Sequence, residues 1–438
     1  MKRKITRRGF LKGLTAAAAA SAPCFVMPSA LGLGAVPAPG NRIQLGLIGA
    51  GEMGNHLIDQ YLDLPDAQIV AVCDVYDKQR TPAIKRIDHF YARRAGQGSY
   101  NGCAEYNDFR DLISDPGVDA VVIATPEHWH ALPAIEAARA GKDIHLEKPL
   151  ALTVEEGRKV VEAVKRHGRI FQHGTQQRSN WIFPRAVELV RNGRIGKLHS
   201  IEIGTPPGAQ TEDHAPEPVP DGFDYDLWLG PAPWAPYTPM RCHQSPRDWS
   251  YNFDYGGGEI SSWGVHHLDI AHWAMDLEHS GPVEIMGDAE FPEKGLWNTA
   301  LRWRMELQYG NGVKVVFTDS RKQPQGIRFI GTEGWIHATR TTLEANPRSV
   351  LSSIILPDEI HVRTSANHYQ NFLDCIRSRA ETVSSVETAH RSTTVCHLVN
   401  ICLLLGRKVR WNPDEERFID DPDADRMISR AMRSPWRL

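Results

Sequence analysis

The chain lacks most of the features that would take it out of the ordinary globular class. It has seven cysteines in 438 residues, at positions 24, 73, 103, 242, 375, 396 and 402. None forms a C-x-x-C pair, which excludes a zinc ribbon and a disulfide-stapled scaffold. No stretch after residue 40 reaches about 18 consecutive apolar residues, so a multi-span membrane protein is excluded. A net charge of −3 gives no overall basic field of the kind nucleic acid demands. There is no H-E-x-x-H motif, no internal repeat and no low-complexity tract. With 41% hydrophobic and 24% charged residues, composition sits near the globular norm and excludes disorder over most of the length. The length fits two domains or three.

The first forty residues read as an address. Lys2, Arg3, Lys4, Arg7, Arg8 and Lys12 make a basic start with no acidic residue before position 40. Leu14 and the run Ala16–Ala20 form a weakly apolar middle. Ser29–Ala30 and Gly34–Ala35 supply a small-residue zone for cleavage between Ala30 and Ala38. The core Thr6-Arg7-Arg8-Gly9-Phe10-Leu11-Lys12 looks like a twin-arginine signal, so export to the periplasm is expected, with residues 1–40 as signal and linker. The bland alternative is a basic amphipathic tail.

A nucleotide-binding pattern follows at once. Gln44–Ile48 is a short apolar strand running into Gly49-Ala50-Gly51-Glu52-Met53-Gly54, a G-x-G-x-x-G turn, and then into a helical pattern at Met53, Leu57, Ile58, Tyr61 and Leu62. Gln68–Cys73 is a second buried strand ending at Asp74, twenty residues after Gly54. Each part has a task. The glycines permit a tight turn and close approach of the backbone to a pyrophosphate. The helix N-terminus presents amide donors and a positive dipole end. Asp74 accepts from ribose hydroxyls and repels a 2′-phosphate, which favours NAD over NADP. Helices at 107–113 and 132–140 then alternate with strands at 120–124 and 143–147. The pattern predicts an α/β fold with a doubly wound parallel sheet of Rossmann type over 41–165, whose ligands sit at the strands' carboxyl ends. Two polar clusters fall there: Thr125-Pro126-Glu127-His128-Trp129-His130 and Glu147-Lys148-Pro149.

The glycine turn, Asp74, Ala124-Thr125-Pro126-Glu127-His128-Trp129-His130 and Leu146-Glu147-Lys148-Pro149 together resemble the Gfo/Idh/MocA oxidoreductases. That family includes glucose–fructose oxidoreductase, inositol dehydrogenases and NAD-dependent glycosidases. The resemblance is strongest over 42–275. It implies that Lys148 lies beside the reacting hydroxyl and the nicotinamide. It implies a cofactor lining of Gly49, Gly51, Met53, Gly54, Asp74, Thr125, Glu127, Trp129, His130, Glu147 and Gln176. The family's D-x-x-x-H motif, with His as general base, puts His266 on the base position and Ser262 where the Asp belongs. Asp269 or His267 would then compensate for the missing carboxylate, and His267 is the second candidate base.

Residues 166–365 are expected to form an α+β substrate domain around a large, mainly antiparallel, open sheet, the fold the resemblance implies; such sheets pair between subunits, so a homo-oligomer is expected. Strand at 170–173 and helix at 180–191 open it. The aromatic-rich stretch 204–257 holds Trp228, Trp234, Tyr237, Trp249, Tyr251 and Tyr255, suited to stacking on sugar rings or to packing. Arg178, Tyr255 and Trp263 are the expected substrate contacts, with Gln176 and Asp254 available to read further hydroxyls. Helices at 367–379 and 393–405, in a C-terminal region spanning 366–438, are expected to return to the first domain. Glu259, His266, His267, Asp269 and His272 are all ligand types, yet no zinc-like spacing joins them, so no metal is expected. The expected chemistry is oxidation of a secondary alcohol of a carbohydrate, at carbon 3, with NAD as cofactor. The alternatives are a redox-neutral glycosidase that retains its NAD, with His267, His243 or Tyr255 as the second base, and a non-catalytic sugar-binding protein.

Overall fold

A computed structural model describes residues 39–96, 99–245 and 247–438; the expected twin-arginine signal at residues 6–12 lies outside the described residues. The first sheet has six parallel strands: β1 (Ile43–Ile48), β2 (Ala67–Cys73), β3 (Ala104–Tyr106), β4 (Ala120–Ile123), β5 (Asp143–Leu146) and β6 (Phe171–His173). Their order is β3-β2-β1-β4-β5-β6. The central strands carry near-continuous apolar runs because helices cover both faces; all four residues of β4 are buried. The order reverses between β1 and β4, which opens a crevice at their carboxyl ends. Helix Val154–Arg166 shows how local sequence sets such a helix. The Thr153 hydroxyl caps it by accepting from the Glu156 amide, Glu155 and Glu156 sit in its first turn, and Lys165 and Arg166 in its last. That helix leads into β6, whose Phe171 pairs with Ile144 of β5. The parallel sheet therefore runs past residue 165, where the sequence pattern placed its end.

The second sheet has nine strands: β7 (Leu198–Thr205), β8 (Pro282–Glu290), β9 (Arg302–Tyr309), β10 (Lys314–Asp319), β11 (Gly326–Gly331), β12 (Trp335–Ala338), β13 (Leu343–Asn346), β14 (Val409–Asn412) and β15 (Arg417–Phe418). The order is β13-β12-β11-β7-β10-β9-β8-β14-β15. Its pairs are antiparallel except β7 with β10, which run parallel. Strand β9 shows the alternation that makes one face: Trp303, Met305, Leu307 and Tyr309 are buried, while Arg302 and Arg304 face water. Against that apolar face pack the helices Ile182–Arg191, Gly264–Met275 and Val386–Leu405. Every residue of Gly264–Met275 is buried, so this helix has no solvated side. Helix His368–Ser378 returns to the first sheet's core through Tyr369, Phe372 and Leu373.

A charge network ties the two halves. Arg158 bonds Glu387 at 3.0 Å and Glu416 at 2.6 Å, and the His390 imidazole contacts Glu416 at 2.7 Å. Burial alone would raise Glu416, but hydrogen bonds from His390 and Arg158 outweigh it and hold the carboxyl down at about 2, against an ordinary 4.5. A carboxyl depressed by folding adds stability above its ordinary pKa, and that stability is lost as pH falls toward the folded value. The melting temperature should therefore drop between pH 4.5 and 2, and Arg158→Met should make that drop shallower; an equally steep acid limb in the variant would exclude the network as its source.

Candidate active site

The glycine turn is built as a phosphate cradle. Gly49 has φ +93°, a left-handed conformation, and a Cβ there would lie 2.7 Å from the Ala124 carbonyl oxygen. A Cβ on Gly54 would lie 2.0 Å from the Gly49 oxygen, so this glycine lets helix Glu52–Leu62 seat on the turn. Gly51 differs: among the described residues beyond its own chain neighbours, its Cβ position meets Gln79 Oε1 at 3.3 Å and nothing else within 4 Å, which leaves its outer side open for a ligand. Asp74 closes the far side of the turn, accepting from the Ala50 amide at 2.7 Å and the Tyr76 amide at 2.9 Å. Burial pushes its carboxyl up to about 6 despite those two bonds. The neighbouring Arg80 is spent on Asp77, on Glu105 and on the Asp74 carbonyl, so it is not available to a 2′-phosphate. Gly54→Ala should drive helix and turn apart and lower NAD affinity by at least tenfold, at about 1–3 kcal/mol of stability; calorimetric titration with NAD checks this, and wild-type affinity would count against the cradle.

From this turn a cavity of about 530 Å³ runs along the strand ends to Lys148 and Ser262. Gly49, Gly51, Met53, Asp74, Thr125, Glu127, Trp129, His130, Glu147 and Lys148 line it. The segment after residue 221 roofs it. Asp77 N–H donates to the Gly222 carbonyl at 2.9 Å and Asp224 N–H to the Val75 carbonyl at 2.8 Å. Trp129 Nε1 donates to the Trp228 carbonyl at 2.9 Å. Thr125 Oγ1 and Glu259 Oε2 are buried without a hydrogen-bond partner among the described residues. Such atoms are costly unless a ligand or water meets them.

At the inner end, the Lys148 ammonium donates to Ser262 Oγ at 3.5 Å, and Arg247 Nη1 reaches the same hydroxyl at 3.4 Å. Burial lowers the lysine's pKa, with Glu147 and Glu127 opposing. Both carboxyls are themselves pushed up by burial, Glu127 to about 8 and Glu147 to about 7, with Lys148 pulling each back. Glu127 is fixed by the Gly257 amide, which donates to Oε2 at 3.0 Å. A lysine whose pKa is lowered by burial thus shares the site with two carboxyls raised to about 8 and about 7. Such a group is suited to exchanging protons. Burial, and then Lys148, push the His266 imidazole well below its ordinary value, and its Nδ1 has no partner among the described residues. His266 is therefore neutral at pH 7, the form that accepts a proton, rather than half-titrated as an unperturbed imidazole would be.

Several expected site residues are placed elsewhere. Arg178 and Asp269 form a bidentate pair at 2.6 and 2.8 Å, and Arg178 also bonds Glu278 at 2.7 Å and lies over the Trp273 ring. They hold the second core together and do not line the cavity, so neither is free for substrate or catalysis. Tyr255 is 0% exposed, packed against Trp228 and His128. His267 points into the core beside Phe183. Trp263 lies under the Arg340 guanidinium. Gln176 faces a second cavity of about 1090 Å³, together with Trp181 and Tyr369. His266, Gly54 and Asp254 stand outside the cavity lining. Of the aromatic stretch, Trp228 and Trp249 line the cavity, Tyr237 packs in a small core with Tyr225 and Phe223, Tyr251 bonds Glu259 at 2.9 Å and Trp234 is exposed. Sequence reasoning missed Arg247. Only its separation of fifteen residues from Ser262 across an irregular loop marks it, and no motif records that spacing. Among the described residues no three His, Cys, Asp or Glu side chains converge as metal ligands.

Residues 43–175 match the family model described as "Oxidoreductase family, NAD-binding Rossmann fold", and residues 208–438, more than half of the chain, match "Oxidoreductase family, C-terminal alpha/beta domain". The chain belongs to the Gfo/Idh/MocA oxidoreductase family. Its curated relatives include a myo-inositol 2-dehydrogenase from Thermotoga maritima, 24% identical over 86% of this chain and 98% of that one. A glycosyl hydrolase family 109 protein from Shewanella baltica is 32% identical over 44% of each chain. Among solved structures, the WlbA dehydrogenase from Bordetella pertussis, in complex with NADH and UDP-GlcNAcA, superposes with a TM-score of 0.61 at 18% identity, covering 85% of this chain and 99% of that one. This member of the Gfo/Idh/MocA family is an NAD-binding oxidoreductase, and its cradle, acid and open cavity fit that cofactor.

Proposed function

We propose that the protein is an exported NAD-dependent oxidoreductase acting on a secondary hydroxyl, at carbon 3, of a sugar or glycoside. The observation that carries this reading is Lys148: a half-buried ammonium at the inner end of a dinucleotide chamber, beside the Ser262 hydroxyl. NAD, when bound, supplies the hydride acceptor. Lys148 holds the reacting oxygen and stabilises the negative charge that develops on it. The hydroxyl proton passes to the carboxyl pair Glu127 and Glu147, which line the same cavity, whereas His266 lies outside that lining. Glu127 and Glu147 keep the lysine charged and exchange protons with it. Trp228 and Trp249 present apolar faces suited to the C–H side of a sugar ring. The relation to a myo-inositol 2-dehydrogenase supports a ring polyol as substrate class.

The twin-arginine pattern over 6–12 supports export of a folded, cofactor-loaded protein. Assembly into a homo-oligomer through the mainly antiparallel second sheet, which the family resemblance implies, is part of the same proposal. One observation favours a second reading, a redox-neutral glycosidase with retained NAD: the relation to glycosyl hydrolase family 109 proteins over 44% of the chain. On that route a ketone at carbon 3 acidifies the hydrogen at carbon 2, a base removes it, the group at carbon 1 leaves, water adds across the resulting double bond, and hydride returns to carbon 3 from the retained NADH. Of the three candidate bases only His243 lines the cavity. Incubating the purified protein with aryl glycosides separates the readings. NADH accumulation on added NAD, without phenol release, is the expected result. Phenol release without added NAD would replace it with the glycosidase, and neither signal across a broad panel would leave a sugar-binding protein.

A further inference from the structure

Residues 430–436 lie against the outside of the cofactor chamber. The Trp436 ring meets the Trp129 ring edge to face at 4.8 Å, with an interplanar angle of 82°, and lies 6.4 Å from Phe109. Trp129 and Phe109 both line the cavity and touch each other at 5.4 Å. The Arg110 guanidinium sits 5.1 Å from the Trp436 ring. Trp129 is gripped from the roof as well: a Cβ on Gly230 would lie 2.0 Å from its ring. That roof turn is pinned by Arg433, whose amide donates to the Pro231 carbonyl at 2.9 Å, its Nε to the Gly230 carbonyl at 2.9 Å and its Nη1 to Asp226 at 2.6 Å. Arg430 anchors the start of the strap on Glu156 at 2.6 Å and reaches the His128 carbonyl at 3.2 Å.

We propose that Trp436 and Arg433 are cofactor-positioning residues: they clamp Trp129 and the 222–231 roof so that the chamber is formed before NAD enters and NAD leaves it slowly. Neither touches the cavity itself. They act through Trp129, Phe109 and the roof. A wall already held in place spares the ordering cost that a mobile wall would charge against binding. The inference rests on the cavity being the NAD site, and it adds a reason for the cofactor to stay bound.

The test uses the full-length protein with Trp436→Ala, Arg433→Ala and Trp436→Phe, the last keeping an aromatic ring on Trp129. NAD binding and release are followed by stopped-flow quenching of tryptophan fluorescence, and the melting temperature is measured without NAD. Trp436→Ala and Arg433→Ala should each raise the Kd for NAD by roughly tenfold or more, mainly through faster release, with the NAD-free melting temperature little changed. Trp436→Phe should restore most of the affinity. Wild-type release rates in both alanine variants would overturn the proposal. So would an equal loss in Trp436→Phe accompanied by a lower NAD-free melting temperature, which would mark the strap as structural only. If the wild-type protein bound no NAD, the assignment of the cavity would fail first and the strap's role with it.

Discussion

Lys148→Met should leave a folded protein that binds NAD with nearly unchanged affinity and turns substrate over roughly a hundred to ten thousand times more slowly. The methionine keeps the apolar stem in place and deletes only the ammonium, so the loss measures the charge. In the native site that charge is costly to bury and is sustained by Glu127 and Glu147. Glu127→Gln should therefore lower the lysine's pKa further and move the limb of the pH–rate profile that follows its charge to lower pH. Undiminished turnover in Lys148→Met would remove the residue from the reaction. A parallel loss of NAD binding would make it a cofactor ligand instead.

Arg178→Met should cost about 3–5 kcal/mol of stability, because it strands the Asp269 carboxylate in a site from which water is excluded. Arg178 and Asp269 are 3% and 1% exposed. Adding Asp269→Leu in the same chain should recover much of the loss, since replacing both members of a buried pair by apolar groups is close to neutral. Urea denaturation of the two variants measures this directly. The competing role, a substrate contact, makes the opposite forecast: a raised KM with stability intact.

These two residues show where sequence reading reaches and where it stops. Lys148 was legible because the parallel strands leading to it are buried on both faces and read as apolar runs, and the crossover topology then fixes which end carries the ligands. The same logic placed Asp74, since the distance from a glycine turn to the end of the next strand is set by one helix and one crossing. Arg178 and Asp269 are ninety-one positions apart, and nothing local in either segment announces the pairing. Ser262 and His266 could be aligned to a motif, yet the burial that keeps His266 neutral comes from all sides of a helix with no solvated face. Helix Asp77–Ala95 escaped notice because it is dominated by polar residues with Pro82 inside it, and only five of its nineteen residues are buried. Strand β3 spans three residues, too few for any alternation to register. Tyr255 was an attractive sugar contact by type, but residue type does not say whether an aromatic ring faces a ligand or its neighbours.

The contact between Trp129 and Trp436 joins the first third of the chain to its final stretch. A nascent chain could complete the Rossmann sheet early, yet one wall of its chamber stays without backing until synthesis has passed position 436. A chain cut by a protease between His173, the end of β6, and Trp436 would keep the strands of the parallel sheet and lose the ring that backs one wall of the chamber.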